Sequence, residues 1–149
     1  MRRIVAAPLA GTAVGLDAVP DPVFAGKMVG PGVAVDPERA PATAVSPIAG
    51  TLLKLKPHAF VVTGPDDRGV LVHLGIDTVN LDGEGFALLA AEGDHVEVGT
   101  AVVAWDPAAV EASGRSPVCP VIALDADPAD LADLASGPVA PGDPLFTWD

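Results

Sequence analysis

The sequence predicts an all-β protein, a sandwich or barrel with two or three short helices. Sixteen glycines and sixteen prolines divide the 149 residues into short pieces, which favours strands and turns over long helices. Half of the residues are apolar, but Phe and Trp are few and Tyr is absent, so Val, Leu, Ile and Ala must form the core. Turn signals such as GPDDRG and DGEG separate strand-like segments at short intervals, the rhythm of a sandwich or barrel.

Apolar and β-branched runs place the strands, and capping residues place the helices. Asp106 and Asp127 are each followed by a proline and begin two short helices, which Gly114 and Gly137 end. The stretch VPDPVF (19–24) holds a further helical turn. Strands are expected at 4–9, 12–16, 33–35, 43–46, 51–55, 59–63, 69–74, 96–98, 101–104, 118–124 and 144–148.

An internal repeat supports one continuous fold. APLAGTAVGL (7–16) and SPIAGTLLKL (46–55) align without gaps, each with a proline, a glycine turn and a strand. The first copy therefore belongs to the fold, although the N-terminal stretch superficially resembles a signal peptide. No apolar run reaches the roughly 18 residues of a membrane span. We expect a single domain over 1–149, in the cytoplasm and without membrane insertion.

Charge and cysteine content narrow the classes of partner. A formal charge of −12, with 8 basic against 20 acidic residues, argues against a nucleic-acid partner. A macromolecular partner should instead present a basic protein surface. The single cysteine, Cys119 in SPVCPVI, excludes an internal disulfide and is typical of a small buried hydrophobe.

Two histidines lie in apolar, strand-like segments, where the presence of a titratable side chain calls for an explanation. In GVLVHLGIDTV (69–79), alternation puts Val70, Val72 and Leu74 on one face and His73 on the other, beside Gly75. His58 lies 15 residues upstream and also opens a strand-like run. Two such histidines could meet on neighbouring strands, although each could also be a structural histidine.

A hairpin in the second half suggests a rival class, the swinging-arm carriers. AAEGDHVEVGTAVVAWD (90–106) has the hairpin style of lipoyl and biotinyl domains. Those domains present a lysine at a tight turn, and none of Lys27, Lys54 and Lys56 stands in a Met-Lys-Met or Asp-Lys-Ala sequence. The hairpin therefore indicates architecture, not acyl-carrier activity.

Four motifs in register point to one known family. VPDPVFAGKMVGPGVAV (19–35), HAF (58–60), VHLGIDTVNLDGEGF (72–86) and EGDHVEVG (92–99) together resemble the glucose-class enzyme IIA of the bacterial phosphoenolpyruvate-dependent sugar phosphotransferase system. The likeness runs from about residue 6 to residue 148. It implies a barrel-sandwich fold built on a duplicated hybrid motif. It also implies a phosphotransferase that needs no cofactor.

The resemblance implies a role for each site residue. His73 would take a phosphoryl group from the histidine-containing phosphocarrier protein and pass it to the IIB domain of a sugar permease, with His58 donating a hydrogen bond to the phosphoryl oxygens. Regulatory target proteins could respond to whether His73 is phosphorylated. The partner-binding residues would be Asp21, Phe24, Met28, Val29, Leu71, Asp77 and Val79.

The chemistry of the sequence is compatible with these roles. A neutral imidazole is a good nucleophile near pH 7. No GxxxxGK[ST] phosphate cradle is present, so the phosphoryl donor should be a protein. The family often has a polar residue two places before the first histidine, and this chain has Lys56, followed by Pro57. His95 has no family role and is expected at the surface.

Three alternatives stay open, two of them with a zinc ion. His73 and Asp77 have the spacing of two zinc ligands in peptidases with a related fold, but the HxH pair that those enzymes need is missing. His58 and His73 could also supply two ligands to a zinc ion bridged by a partner's carboxylate, since zinc needs three or four. A non-enzymatic regulatory binding module is the remaining alternative.

Overall fold

The computed structural model of the chain describes residues 2–149 and contains fourteen strands with two short α-helices. The helices are α1 (Pro22–Ala25) and α2 (Pro107–Ala112), and 3-10 turns cover Leu16–Ala18, Thr78–Leu81 and Pro128–Asp130. The strands are β1 (Arg3–Ala6), β2 (Gly11–Val14), β3 (Gly32–Pro37), β4 (Ala42–Val45), β5 (Gly50–Lys56), β6 (Ala59–Thr63), β7 (Gly69–His73), β8 (Ala87–Leu88), β9 (His95–Val96), β10 (Ala101–Trp105), β11 (Cys119–Ala123), β12 (Leu131–Ala132), β13 (Gly137–Val139) and β14 (Pro144–Trp148).

The strands form three antiparallel sheets, which confirms the all-β prediction. The main sheet has eight strands in the order β13-β2-β3-β11-β7-β6-β5-β9. Two three-stranded sheets have the orders β1-β14-β12 and β4-β10-β8. None of the helices within residues 2–149 has the length and apolar character to cross a membrane.

The internal repeat of the sequence is a repeat of the structure. Gly11 and Gly50 begin β2 and β5, and a Cβ on either would lie about 2 Å from a carbonyl oxygen of the paired strand (2.2 and 2.1 Å). Only glycine allows this close approach. The two copies also bond each other reciprocally, since the Ala6 N–H donates to the Pro47 carbonyl (2.9 Å) and the Val45 N–H to the Pro8 carbonyl (3.0 Å).

Every strand predicted from the sequence overlaps a strand of the structure, and helix α2 begins at the predicted cap. The Asp106 carboxylate accepts a hydrogen bond from the Ala108 N–H at 3.0 Å. The predicted turn in 19–24 is realised as α1.

The helix predicted after Asp127 is wrong. Asp127 does cap a first turn through the Ala129 N–H (2.9 Å), but the turn ends at Asp130. The chain continues as β12, where Leu131 pairs with Trp148 of β14. A helix of two or three turns with an exposed Leu134 would bury little apolar surface, whereas pairing with β14 satisfies the backbone along that strand.

The core consists of two clusters, and the smaller one supports the histidine face of the main sheet. The larger cluster fills the space between the sheets, with Phe60, Val72 and Phe146 among its buried members. The smaller cluster contains Leu16, Val19, Phe24, Ala34, Ile76, Val118 and Ile122. It packs α1 and the loop after β7 against β3 and β11, which fixes the surroundings of His73.

Candidate functional site

His58 and His73 meet at adjoining ends of two neighbouring strands. His58 lies in the tight turn between β5 and β6, and His73 ends β7, where it pairs with Ala59. The two imidazole rings are 5.4 Å apart between centroids and are inclined at 70°. The Leu74 N–H donates to the His58 carbonyl at 2.7 Å, so the backbone on both sides of the pair is tied together. The alternation along 70–74 is as predicted, with Val70, Val72 and Leu74 fully buried.

A backbone carbonyl fixes the tautomer and the orientation of the His73 ring. Nδ1 of His73 lies 2.5 Å from the carbonyl oxygen of Gly75. A carbonyl oxygen can only accept, so Nδ1 carries the proton and Nε2 keeps a free lone pair. Gly75 has φ +80, a conformation that favours glycine, and a Cβ there would lie 2.7 Å from Cγ2 of Thr78.

Burial keeps both imidazoles neutral near pH 7. Desolvation lowers the pKa of His73, opposed by the Gly75 hydrogen bond and by the charges of Asp21 and Asp77. Desolvation also lowers the pKa of His58, and the nearby His73 and Lys56 lower it further. A neutral imidazole keeps the nitrogen lone pair that a nucleophile needs, and its N–H can still donate a hydrogen bond.

Two acidic residues, Asp21 and Asp77, carry charges that act on His73. The Asp21 carboxylate accepts from the Val23 N–H at 2.8 Å and so caps α1. Asp77 is exposed, has a left-handed backbone (φ 60), and its carbonyl accepts from Nε of Arg115 at 3.3 Å. Both carboxylates raise the pKa of His73, which places their charges within electrostatic reach of the ring.

The apolar residues that the family resemblance assigns to partner binding differ in exposure. Met28 is 73% exposed and Val79 is 54% exposed, while Val29 and Leu71 are half-buried. Phe24, which the resemblance implies as a partner-binding residue, is only 8% exposed. Its ring lies 5.1 Å from that of His73 between centroids, so it supports the imidazole from the core side.

The structure places the residues at which the sequence departs from the family pattern. Lys56 is exposed, and Pro57 packs beside Gly83. The Gly75 carbonyl orients His73 whatever residue stands at 56.

His95 is exposed and pairs with Glu97 (2.9 Å), as expected of a surface residue. Cys119 is completely buried, and burial raises the pKa of its thiol to about 12, which confirms the prediction of an unreactive small hydrophobe.

Three groups that contribute to the site were not predicted from the sequence. They are the Gly75 carbonyl, the buried hydroxyl of Thr78, which donates to the Leu74 carbonyl at 2.8 Å, and Arg115 beside Asp77. The glycine and threonine in HLGIDTV were signals of a tight, internally bonded loop. Arg115 comes from a distant segment and had no local signal.

Within residues 2–149, no group of three or more His, Cys, Asp or Glu side chains is placed to hold a metal ion. His58 and His73 therefore offer at most two ligands at this site. A zinc ion bridged by a partner's carboxylate stays a prediction.

Known proteins resemble the chain over most of its length. A family model described as "phosphoenolpyruvate-dependent sugar phosphotransferase system, EIIA 1" matches residues 3–128. The chain is 42% identical over 125 residues to the glucose-specific EIIA component of Oceanobacillus iheyensis, covering 83% of this chain and 74% of that protein. It is 40% identical over 143 residues to the N-acetylglucosamine-specific EIICBA component of Klebsiella pneumoniae, covering 93% of this chain and 22% of that longer protein.

A solved structure agrees with the sequence matches. The glucose permease IIA of Mycoplasma capricolum superposes with a TM-score of 0.90 at 31% identity, over 99% of this chain and 96% of that one. Sequence identity at this level, over nearly the whole of both chains, indicates a common family as well as a shared fold. The chain therefore belongs to the EIIA 1 family of the phosphoenolpyruvate-dependent sugar phosphotransferase system.

Proposed function

We propose that His73 accepts a phosphoryl group at Nε2 from the phosphohistidine of the histidine-containing phosphocarrier protein and passes it to the IIB domain of a sugar permease. The observation that carries the proposal is the hydrogen bond from Nδ1 of His73 to the Gly75 carbonyl. It commits the proton to Nδ1 and leaves the Nε2 lone pair as the nucleophile. The family membership supplies the reaction class, phosphoryl transfer within the sugar phosphotransferase system.

The transfer balances without an added acid, base or metal ion. The bond between phosphorus and the donor nitrogen breaks as the bond to Nε2 forms, and the donor imidazole leaves with its electron pair. His73 keeps its Nδ1 proton, and the positive charge that develops on its ring is stabilised by the Gly75 carbonyl. In the second transfer a nucleophile of the IIB domain bonds to phosphorus as the Nε2–phosphorus bond breaks, and Nε2 takes back the electron pair, so that His73 returns to its neutral state.

In this proposal His58 assists at the phosphoryl oxygens. Its ring is 5.4 Å from that of His73 between centroids, so one phosphoryl group bound to His73 lies within reach of both rings. An imidazole N–H at this position donates to the phosphoryl group and stabilises its charge. Positioning and charge stabilisation are most of what phosphoryl transfer requires of a protein.

The surroundings fit a site that faces protein partners. Leu71, Leu74 and Val79 limit water at the phosphohistidine, while Met28 and Val29 provide apolar contact surface. Asp21 and Asp77 would face an arginine of the donor. We also propose a cytoplasmic location, and regulatory target proteins whose binding depends on whether His73 is phosphorylated. The sugar contacts the permease and is not specified by this chain.

The test is phosphorylation in a reconstituted relay. Incubation with phosphoenolpyruvate, enzyme I and the histidine-containing carrier should add one acid-labile phosphate, measured by intact-protein mass spectrometry. His73→Gln should accept none, because no imidazole remains at the position. His95→Gln is the matched control, since His95 is an exposed histidine paired with Glu97, and it should be labelled normally. Label on His73→Gln, or none on the parent protein, would reject the proposal.

A further inference from the structure

Thr78 is a buried polar residue in the loop that carries the orienting carbonyl. Its side chain is 1% exposed and follows the glycine of HLGIDTV by three residues. Within residues 2–149, Ser46 is the other buried polar side chain, and it bonds the Ile48 carbonyl at 2.7 Å. A buried hydroxyl must be hydrogen-bonded, and where its bond goes decides what the residue does.

The Thr78 hydroxyl holds the peptide that links the two histidines. Oγ1 donates to the Leu74 carbonyl at 2.8 Å, and the Leu74 N–H donates to the His58 carbonyl at 2.7 Å. The next carbonyl along the chain is that of Gly75, which accepts from Nδ1 of His73. One short backbone segment therefore carries an anchor for each histidine, and Thr78 fixes its middle.

The peptide between Leu74 and Gly75 is held at both ends. Its carbonyl accepts from Thr78, while its N–H faces the sulfur of buried Cys119, whose own S–H donates to the Pro117 carbonyl at 3.3 Å. The Ile76 N–H is also held, by the Ser116 carbonyl at 2.8 Å. With its neighbours fixed in this way, Gly75 keeps φ +80 and its carbonyl stays directed at the imidazole.

We infer that Thr78 is a positioning residue for phosphoryl transfer, whose hydroxyl keeps the Gly75 carbonyl against Nδ1 of His73 and so holds Nε2 in its unprotonated state. The inference rests on the proposed role of His73. Without the hydroxyl, the Leu74 carbonyl loses its buried donor and the loop can rotate. His73 then populates the other tautomer, in which Nε2 carries the proton and cannot attack phosphorus.

The test compares two variants that differ by one oxygen atom, Thr78→Ser and Thr78→Ala. The His73 tautomer is read from the ring ¹⁵N chemical shifts, and the rate of phosphoryl acceptance from rapid-quench kinetics with the phosphorylated carrier. Thr78→Ser should keep the Nδ1–H tautomer and a rate within about twofold of the parent. Thr78→Ala should show a mixture of tautomers and accept phosphate about fivefold more slowly, the effect of one lost hydrogen bond.

Ser46→Ala is the control, because it removes the comparable buried hydroxyl outside the site. It should lower thermal stability but leave the tautomer and the rate unchanged. A Thr78→Ala protein with the parent tautomer, or equal slowing in Thr78→Ser and Thr78→Ala, would overturn the inference. Failure of the proposed function is separate, since it shows as absent labelling of the parent or persistent labelling of His73→Gln, while the ¹⁵N shifts are measured without any phosphoryl donor.

Discussion

At the level of single residues, the role proposed for His73 requires a neutral ring, a single tautomer and a free nitrogen. Burial supplies the first property by lowering the pKa of the imidazole. The Gly75 carbonyl supplies the second, and the alternation of β7 supplies the third by turning the ring away from the core. Asp21 and Asp77 act in the opposite direction on the pKa of His73, so the negative charge that would suit a basic donor is balanced against the need for a neutral nucleophile.

The lowered pKa of His73 predicts a specific pH dependence. We expect its pKa, followed by NMR of the ring protons, to lie below the 6.5 of an unperturbed imidazole. Between the two pKa values the unfolded chain binds more protons than the folded chain, so the free energy of unfolding should fall as the pH drops below about 6.5. The loss should be smaller in His73→Gln, measured by urea denaturation at pH 7.5 and 5.5. An equal loss in both proteins would contradict the assignment to His73.

His58→Gln should separate the two half-reactions. Glutamine still offers an N–H to the phosphoryl oxygens, so His73 should still be phosphorylated. It cannot change its protonation state as the phosphoryl group leaves, so onward transfer to the IIB domain should slow more than acceptance does. Each tenfold loss of rate corresponds to about 1.4 kcal/mol of transition-state stabilisation. A variant that passes phosphate on at the normal rate would exclude this role for His58.

The sequence was sufficient to find both histidines but not what orients them. Alternation in 70–74 placed His73 on the outer face, and the spacing of strand-like runs placed His58 nearby. The orienting hydrogen bond comes from a main-chain carbonyl, which has no residue-type signature. The burial of Phe24 was not predicted, because the family motif does not distinguish an aromatic ring under the imidazole from one at the surface.

At the level of elements, local signals were reliable where the chain is self-contained and failed where a distant strand competes. The caps at Asp106 and Asp127 both form, yet only Asp106 starts an α-helix. After Asp127 the edge of β14 offers backbone partners that the local pattern cannot reveal. Strands β8, β12 and β13 were missed for the related reason that two or three residues carry no periodicity.

The loop after β7 should tolerate alanine poorly at Gly75. Gly75→Ala adds left-handed strain and a contact of 2.7 Å with Cγ2 of Thr78, which together should cost about 2 to 4 kcal/mol of folding stability. Gly85→Ala is the control, because Gly85 has φ +85 but no atom within 4 Å of the added Cβ, and it should cost about 1 kcal/mol. Urea denaturation measures both. Equal losses would show that crowding by Thr78 has no effect on this loop.

At the level of the whole molecule, the duplicated motif explains why so much of the fold could be predicted. Each copy supplies a glycine that lets two strands approach, and the reciprocal bonds between residues 6 and 47 and between 45 and 8 join the copies. A repeat visible in the sequence therefore corresponds to a repeat in the backbone. The arrangement of three sheets depends on contacts between distant segments, which the strand pattern alone leaves open. The single domain over 1–149 stays a prediction.

The net charge of −12 predicts electrostatic steering of a basic partner. The rate constant for phosphoryl acceptance from the carrier, measured under second-order conditions, should fall as ionic strength rises, since screening shortens the reach of exposed charges to about 8–10 Å. If steering is directed at the histidine pair, Asp77→Asn should lower the low-salt rate about twofold to fivefold. Asp133→Asn should leave it unchanged, because Asp133 is an exposed residue with the same left-handed backbone but follows β12 of another sheet. Equal effects of the two substitutions would mean that net charge alone governs encounter, and a rate independent of salt would exclude steering altogether.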